Sequence, residues 1–379
     1  MRSAIIMAGG QSLRMRASLG REHKALVKVL GVPMLERNLL ALLSHGFREI
    51  FLAVNAKEES VLAFAKTRAA QLARACHAEL KLMVEREALG TMGAAAKVRI
   101  TSDDLVVVNV DNLTTLDLSA FLKHHRSTKA AMTVATHTEP FKVPFGQVSV
   151  NKGRITGYQE KPMLPVVLSS GIYVLAKSVL SNIPHARAVG AHEVVKMLLG
   201  EDQKIVAFEH SFPWVDVNDA ASVERAEDLI MANFRSFELR RTSPDRHVAI
   251  VCVLCDGAVA VPKSSSSLSP VGGLPAVEIA KSERPERAIN RCGLGSSIRP
   301  ESGQVLVSFD DIDARTGECI RHHVVLAEPT ASSQATHGNP ALEWIQKHEL
   351  LTMFSDSRNN YRTLSYLKRH AANSHSLGN

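Results

Sequence analysis

Through its first 110 residues the chain alternates short apolar runs with amphipathic stretches. That alternation predicts a parallel sheet covered by helices. Ala4–Ala8, Glu49–Val54, Leu80–Val84 and Leu105–Val110, rich in Ile, Val and Leu, read as strands. Leucines at helical spacing behind a proline predict a helix over Pro33–Ser44. A second helix is expected near Glu58–Arg74 and a third after Gly93. Ala130–Thr136 is a further strand, and Gly146–Val150 with Arg154–Tyr158 reads as a hairpin across Asn151–Gly153.

The pattern changes around Leu229–Arg246, where a helix runs into a polar stretch containing Ser243-Pro244-Asp245. A domain boundary placed there divides the chain into 1–235 and 246–379. Strands are then expected at Val248–Leu254, Ala258–Val261, Gln304–Phe309 and His322–Ala327. They are followed by the apolar stretch Leu342–Ile345 and a last helix near Asn360–Arg369. Ser264–Ser267 reads as a loop tip.

With 379 residues, 45% of them hydrophobic and 22% charged, the chain can bury a sizeable core. No apolar stretch approaches the roughly 20 residues of a membrane-spanning helix. The opening MRSAIIMAGG reads as a buried strand rather than a signal peptide, so no membrane is expected as partner. Five scattered cysteines, an odd number, argue against a disulfide framework and for a reducing, cytoplasmic setting. The net charge of +7 comes almost wholly from the first 235 residues, with 29 basic against 23 acidic positions and no run of five like charges. Dispersed charge and only 5% aromatics suit small phosphorylated ligands and disfavour a nucleic-acid partner.

Candidate chemistry begins at Met7-Ala-Gly-Gly-Gln-Ser-Leu-Arg14, directly after a strand, with Lys24 ten residues on. Glycines at a strand's carboxyl end let the backbone approach a ligand, and exposed amides there can hold phosphate oxygens. Such glycines also serve ordinary turns, and Arg14 and Lys24 also read as solvent-facing charges.

The stretch resembles the signature of nucleotidyltransferases that activate sugar 1-phosphates, continued by Lys24-Ala-Leu and Gly31-Val-Pro-Met-Leu35. Further blocks follow in the family's order over roughly residues 1–233. Glu87-Ala-Leu-Gly-Thr-Met-Gly-Ala94 is similar to the base-reading segment, and Val107-Val-Asn-Val-Asp111 to the metal-binding strand end. Pro144-Phe-Gly-Gln-Val148, Glu160-Lys-Pro162 and Ser170-Gly-Ile-Tyr173 resemble the sugar-phosphate side, and Trp214-Val-Asp216 the closing aspartate motif. The resemblance implies an α/β, Rossmann-like nucleotidyltransferase domain in which a sugar 1-phosphate oxygen attacks the α-phosphorus of a nucleoside triphosphate and pyrophosphate leaves. It implies Mg2+ on Asp111 and Asp216. Arg14 would face the leaving pyrophosphate, Lys24 the triphosphate and Lys161 the sugar phosphate. Ala8, Gly9, Gly10, Gly90, Thr91, Gly146, Glu160 and Gly171 would line the ligands. The arrangement looks closest to guanylyltransferases acting on mannose- or heptose-type phosphates, and homo-oligomerisation stays open.

Plainer readings stand beside these. Asp111 could cap a helix beginning near Leu116, Asp216 could be a turn residue, and Glu160-Lys161-Pro162 a solvated hairpin exit. The chain also departs from the family pattern. Ser12 replaces a glycine, His23 a proline, and Val110 and Asn218 glycines, the loop form looking more like molybdopterin and cytidylyl branches. Two rival functions follow: a non-catalytic nucleotide sensor that regulates a partner, and a cytidylyltransferase acting on a non-sugar phosphate or phosphonate.

In the second half, Gly272 to Leu294 can be laid on the Nudix box, with Gly272, Glu278, Ala288, Gly293 and Leu294 on their expected positions. Glu286-Arg287 stands for the Arg-Glu pair, and Asn290-Arg291 for the two glutamates that hold metal. The resemblance implies a smaller α+β Nudix-like domain without hydrolysis. Cys252 and Cys255 have the spacing of a zinc half-site but lie in an apolar strand, so core packing is expected there, and His322-His323 reads as a strand pair.

Overall fold

The computed structural model describes residues 1–10, 23–184, 187–209, 211–238, 244–255, 258–262, 274–292, 294, 298–299, 302–313, 316–330, 342–346, 359, 361–367 and 369. It divides into two compact units. The first comprises Met1–Ala25, His45–Ala65 and Ala78–Ser222; the second comprises Leu26–Ser44, Lys66–His77 and Val223–Asn379.

The first unit is built on a seven-stranded sheet. Its strands, in chain order, are β1 (Ser3–Ala8), β2 (Glu49–Asn55), β3 (Glu79–Glu85), β4 (Asp104–Asn109), β5 (Met132–Lys142), β6 (Met163–Ala176) and β7 (Ile205–Glu209). Across the sheet the order is β7-β5-β6-β4-β1-β2-β3. Strands β1, β2, β3 and β4 run parallel, as do β5 and β7. The four strands of the first 110 residues are thus parallel as expected, and β6, beyond them, is antiparallel to both neighbours. Every residue of β1 and β2 is buried, the signature of central strands covered on both faces. Ile5, Phe51, Val107 and Tyr173 contribute to one core cluster, with Met92, Val194 and Leu198 packed in from helices.

Two helices differ in their starts from expectation. The one foreseen after Gly93 spans Gly90–Ala95. The one foreseen near Leu116 is Leu118–Thr128, and its cap is Asp117, whose carboxylate accepts from the N–H groups of Ser119 at 2.8 Å and Ala120 at 3.0 Å. Asp111 is thereby not the capping residue.

The second unit carries a six-stranded sheet. The strands are Arg246–Cys255, Ala258–Pro262, Ala276–Ile279, Gln304–Ile312, Cys319–Ala327 and Leu342–Gln346. The predicted elements are present, and Ala276–Ile279 is an addition that pairs antiparallel with Arg246–Cys255. Cys252 is fully buried and burial pushes its thiol up to about 12, so it is a core residue. The same unit holds a buried ionic cluster around Glu238. Tyr366 donates its hydroxyl to Glu238 at 2.8 Å, Arg362 donates to it from below the ring of Phe309, and Arg37 lies 3.8 Å away. The Ser264–Ser267 run lies outside the described residues, as do Gly272 and Gly293 of the proposed box.

Candidate active site

The carboxyl ends of β1 and β4 lie side by side, because Met7 pairs with Asn109 and the Val110 N–H donates to the Met7 carbonyl at 3.2 Å. This brings the Gly9-Gly10 turn next to Asp111. A cleft of about 180 Å³ opens there, lined by Gly9, Gly10, Lys24, Glu85, Thr91 and Asp111 among others. Ligand sites of open α/β sheets occupy this position, at strand carboxyl ends.

Lys24 reaches into the cleft and its Nζ lies 2.5 Å from Asp111 Oδ2. The Lys24 side chain is 19% exposed and that of Asp111 14%, so the pair is open to a ligand yet partly shielded from water. His23, where the family pattern has proline, braces the turn. Its Nδ1 accepts from the Ala25 N–H at 3.1 Å, which leaves the Nε2–H to donate to the Gly10 carbonyl at 2.8 Å. The predicted lysine and glycines are therefore coupled through a residue that looked like a departure.

Asp216 comes to the same end of the sheet by a short antiparallel ladder. Trp214–Asp216 pairs with Asn112–Thr114, setting Asp216 opposite Asn112, and the Val217 N–H donates to the Asp111 carbonyl at 2.9 Å. Asp216 thus sits in a strand, not a turn, and accepts from the Asn218 amide; Asp219 takes the cap role, accepting from the Ser222 N–H at 2.7 Å. Backbone pairing thus sets Asp111 and Asp216 on neighbouring segments, with Asp111 lining the cleft and Asp216 outside its lining. Among the described residues no group of three or more His, Cys, Asp or Glu gathers as a self-sufficient metal cage.

Two predicted glycines are required by close approach. At Gly171 (φ +70°) a Cβ would press on the amides of Asn112 and Asn109. At Gly90 (φ +69°) it would fall 2.6 Å from the Val189 carbonyl oxygen. The same carbonyl accepts from the Met92 N–H at 2.9 Å, fixing the turn that carries Thr91.

The remaining predicted residues form a second group. Gly146 faces the Tyr158 hydroxyl, which donates to Glu160 at 2.8 Å, and Lys161 lies 3.8 Å from Glu160. Glu160 and Lys161 are more than half exposed, and neither they nor Gly146 line the cleft around Lys24. Arg14 and Ser12 lie outside the described residues.

Glu85 and Asn109 were missed. Glu85 ends β3 and faces Gly9 so closely that any Cβ at position 9 would strike its carboxylate. Burial raises its carboxyl above the ordinary range, opposed by a hydrogen bond from the Leu89 N–H, and its Oε1 has no partner among the described residues. The signal available in sequence was a glutamate ending an apolar strand five positions before Gly90.

Fold and site together define a nucleotide-handling α/β domain. The chain belongs to the nucleotidyl transferase family, whose pattern matches residues 3–232. It is 27% identical over 224 residues to a putative mannose-1-phosphate guanyltransferase of Sulfolobus acidocaldarius, covering 57% of this chain and 60% of the relative. A mannose-1-phosphate guanylyltransferase of Mycobacterium tuberculosis is 27% identical over 236 residues, covering 60% and 64%. The chain thus spans about 60% of the length of these curated relatives. A putative glucose-1-phosphate thymidylyltransferase structure from Bacillus anthracis superposes with a TM-score of 0.49 at 21% identity, covering 60% of this chain and 95% of that one.

Proposed function

We propose that residues 1–235 form a domain that transfers a guanylyl group from GTP to a sugar 1-phosphate. A phosphate oxygen of the sugar 1-phosphate forms a bond to the α-phosphorus, the bond from that phosphorus to the bridging oxygen of the β-phosphate breaks, and pyrophosphate leaves. Both reactants are anionic, so the work of the site is alignment and charge neutralisation. The observation that carries the reading is the Lys24–Asp111 pair beside the Gly9-Gly10 turn, with Asp216 tied to the same backbone.

Lys24 would bind triphosphate oxygens, and the backbone at Ala8, Gly9 and Gly10 would accept the chain of phosphates at close range. Asp111 and Asp216 would hold Mg2+, which when bound offsets phosphate charge. Thr91 and Glu85 face the same cleft. An ionised carboxylate only accepts, and guanine alone among the bases presents an N–H and an NH2 side by side on its pairing edge. Glu85 would favour guanine in its ionised form, which the paired N–H and NH2 donors would stabilise against the burial that raises its carboxyl. Lys161 and Glu160 would take the phosphate and hydroxyls of the acceptor.

For residues 246–379 we infer a degenerate Nudix-like domain without hydrolase chemistry. Arg291 stands where a metal-binding glutamate would be needed, and it pairs with Glu283 and donates to the Glu278 carbonyl at 3.4 Å. The absence of a membrane-crossing helix among the described residues is compatible with a cytoplasmic enzyme.

The test is pyrophosphate release from ATP, GTP, CTP and UTP with magnesium against a panel of hexose and heptose 1-phosphates. Turnover confined to GTP with a mannose- or heptose-type acceptor is expected. Turnover with another base overturns the guanine assignment, and silence with all four while nucleotide still binds overturns the transferase reading.

A further inference from the structure

A second cavity, of about 330 Å³, opens in the first unit past the end of β7, walled by His137, Glu139, Glu209, Phe212 and Trp214 among others. It shares no residue with the cleft around Lys24. Two of its walls are anchored on Ser170: the Trp214 Nε1–H donates to the Ser170 carbonyl at 2.9 Å, His137 Nδ1 lies 2.8 Å from the Ser170 hydroxyl, and the two rings stack at 4.3 Å. The direction of His137 is thereby fixed. Its side chain is only 8% exposed, and Nε2 is buried without a hydrogen-bond partner, 3.4 Å from Glu139 Oε1. With the Nδ1–H given to Ser170 Oγ, Nε2 and the Glu139 carboxylate are two acceptors side by side. What they lack is a donor between them, and a buried acceptor left unpaired costs free energy until a ligand supplies one.

The charge of the cavity narrows the ligand. Two carboxylates line it, no lysine or arginine does, and neither Glu139 nor Glu209 pairs with one among the described residues. Such a wall repels phosphate, and no three His, Cys, Asp or Glu among the described residues gather for a metal ion. Carboxylates beside the rings of Trp214 and Phe212 instead match an organic ammonium, which donates only and is drawn to aromatic faces. We propose that this cavity takes an amino group carried on the ring of the acceptor, so that the preferred acceptor is an amino-substituted sugar 1-phosphate. The inference rests on the transferase reading and deepens it. Trp214 and Asp216 stand two apart on one strand, so they share a face at a spacing of about 7 Å. A sugar with its reacting phosphate at the Asp216 end of that strand extends toward Trp214, and its amino group enters between His137 Nε2, Glu139 and Glu209. These three residues stand outside the motifs that carry the family resemblance.

The experiment is calorimetric titration of the full chain, with magnesium and a non-hydrolysable GTP analogue present, at about pH 7, where an amine of ordinary basicity is largely charged. Mannose 1-phosphate is compared with its analogues in which one hydroxyl is replaced by an amino group. One analogue should bind at least about tenfold more tightly than the parent, and Glu139→Gln combined with Glu209→Gln should remove that preference. Equal or tighter binding of the parent overturns the proposal, and so does a preference that survives in the double variant. Should the variant fail to fold, the wild-type comparison decides alone. Selective binding of an amino analogue without pyrophosphate release from any nucleotide would support the cavity's assignment and overturn the transferase reading; no binding of any sugar phosphate overturns both.

Discussion

Lys24 and Asp111, 87 residues apart in sequence, meet at 2.5 Å inside the cleft at the end of β1. They meet where the proposed reaction would bring phosphates and a cation. A triphosphate would draw the ammonium away from the carboxylate and release the carboxylate for metal. Lys24→Met is expected to lower guanylyl transfer by about 100-fold, chiefly in kcat, as loss of one charge-stabilising group does elsewhere. Steady-state kinetics against GTP checks this; a change confined to KM would make Lys24 a ground-state binding group only.

Asp117 offers the matching control. It caps Leu118–Thr128 through two backbone N–H groups and lies in no part of the cleft lining. Asp117→Ala should cost about 1 kcal/mol of stability. Its transfer rate should match the wild type. Urea denaturation and the kinetic assay, run on one preparation, separate the two aspartates.

Under the proposed function Glu85 would read the base. Glu85→Gln replaces an acceptor-only group with one that also donates, which suits guanine less and uracil more. The ratio of kcat/KM for GTP over UTP should fall by about tenfold or more, equivalent to about 1.4 kcal/mol. An unchanged ratio would remove Glu85 from base reading.

Glu49 links stability to pH in the first unit. Burial alone would raise its carboxyl, but hydrogen bonds from Ser3, Thr101 and Lys81 hold it at about 2. The unfolded value is about 4.3, so the unfolded chain binds the proton more readily. The stabilisation is therefore complete above about pH 5 and is lost as pH falls toward 2. It amounts to about 3 kcal/mol. Glu49→Gln should lower stability near neutrality by about that amount and flatten its decline between pH 5 and pH 2, measured by thermal melts across that range.

In the second unit, Glu238 is fully buried with Arg362 and Tyr366 on its oxygens, and burial pushes the Tyr366 phenol up to about 12. Glu238→Gln leaves buried guanidinium charge uncompensated and should cost about 3–5 kcal/mol. Replacing Glu238 and Arg362 together by Leu and Met should recover part of that loss in chemical denaturation.

Much of this was legible in the chain, for local reasons. Glu49–Val54 and Leu105–Val110 carry unbroken apolar runs because central parallel strands are buried on both faces, and the structure places strands there within a residue. Gly9, Gly10, Lys24, Gly90, Thr91 and Asp111 were named from ordered motifs and line one cleft. What escaped depended on distant partners. Glu85 is an unremarked strand residue until the β1 turn is laid beside it. Asp117 and Asp111 both precede the same helix, and only backbone geometry tells which one caps it. The reversed direction of β6 follows from the long hairpin it makes with β5, a pairing that its own apolar pattern does not announce.

Transfer in the Lys24–Asp111 cleft is tested most directly with α-phosphate-labelled GTP. Wild-type protein given magnesium and a mannose-type 1-phosphate should place the label in a nucleoside-diphosphate sugar, with one pyrophosphate released for each. Asp111→Asn should still bind GTP yet incorporate label at least about 100-fold more slowly. Label incorporation undiminished in Asp111→Asn would contradict the assignment of this cleft.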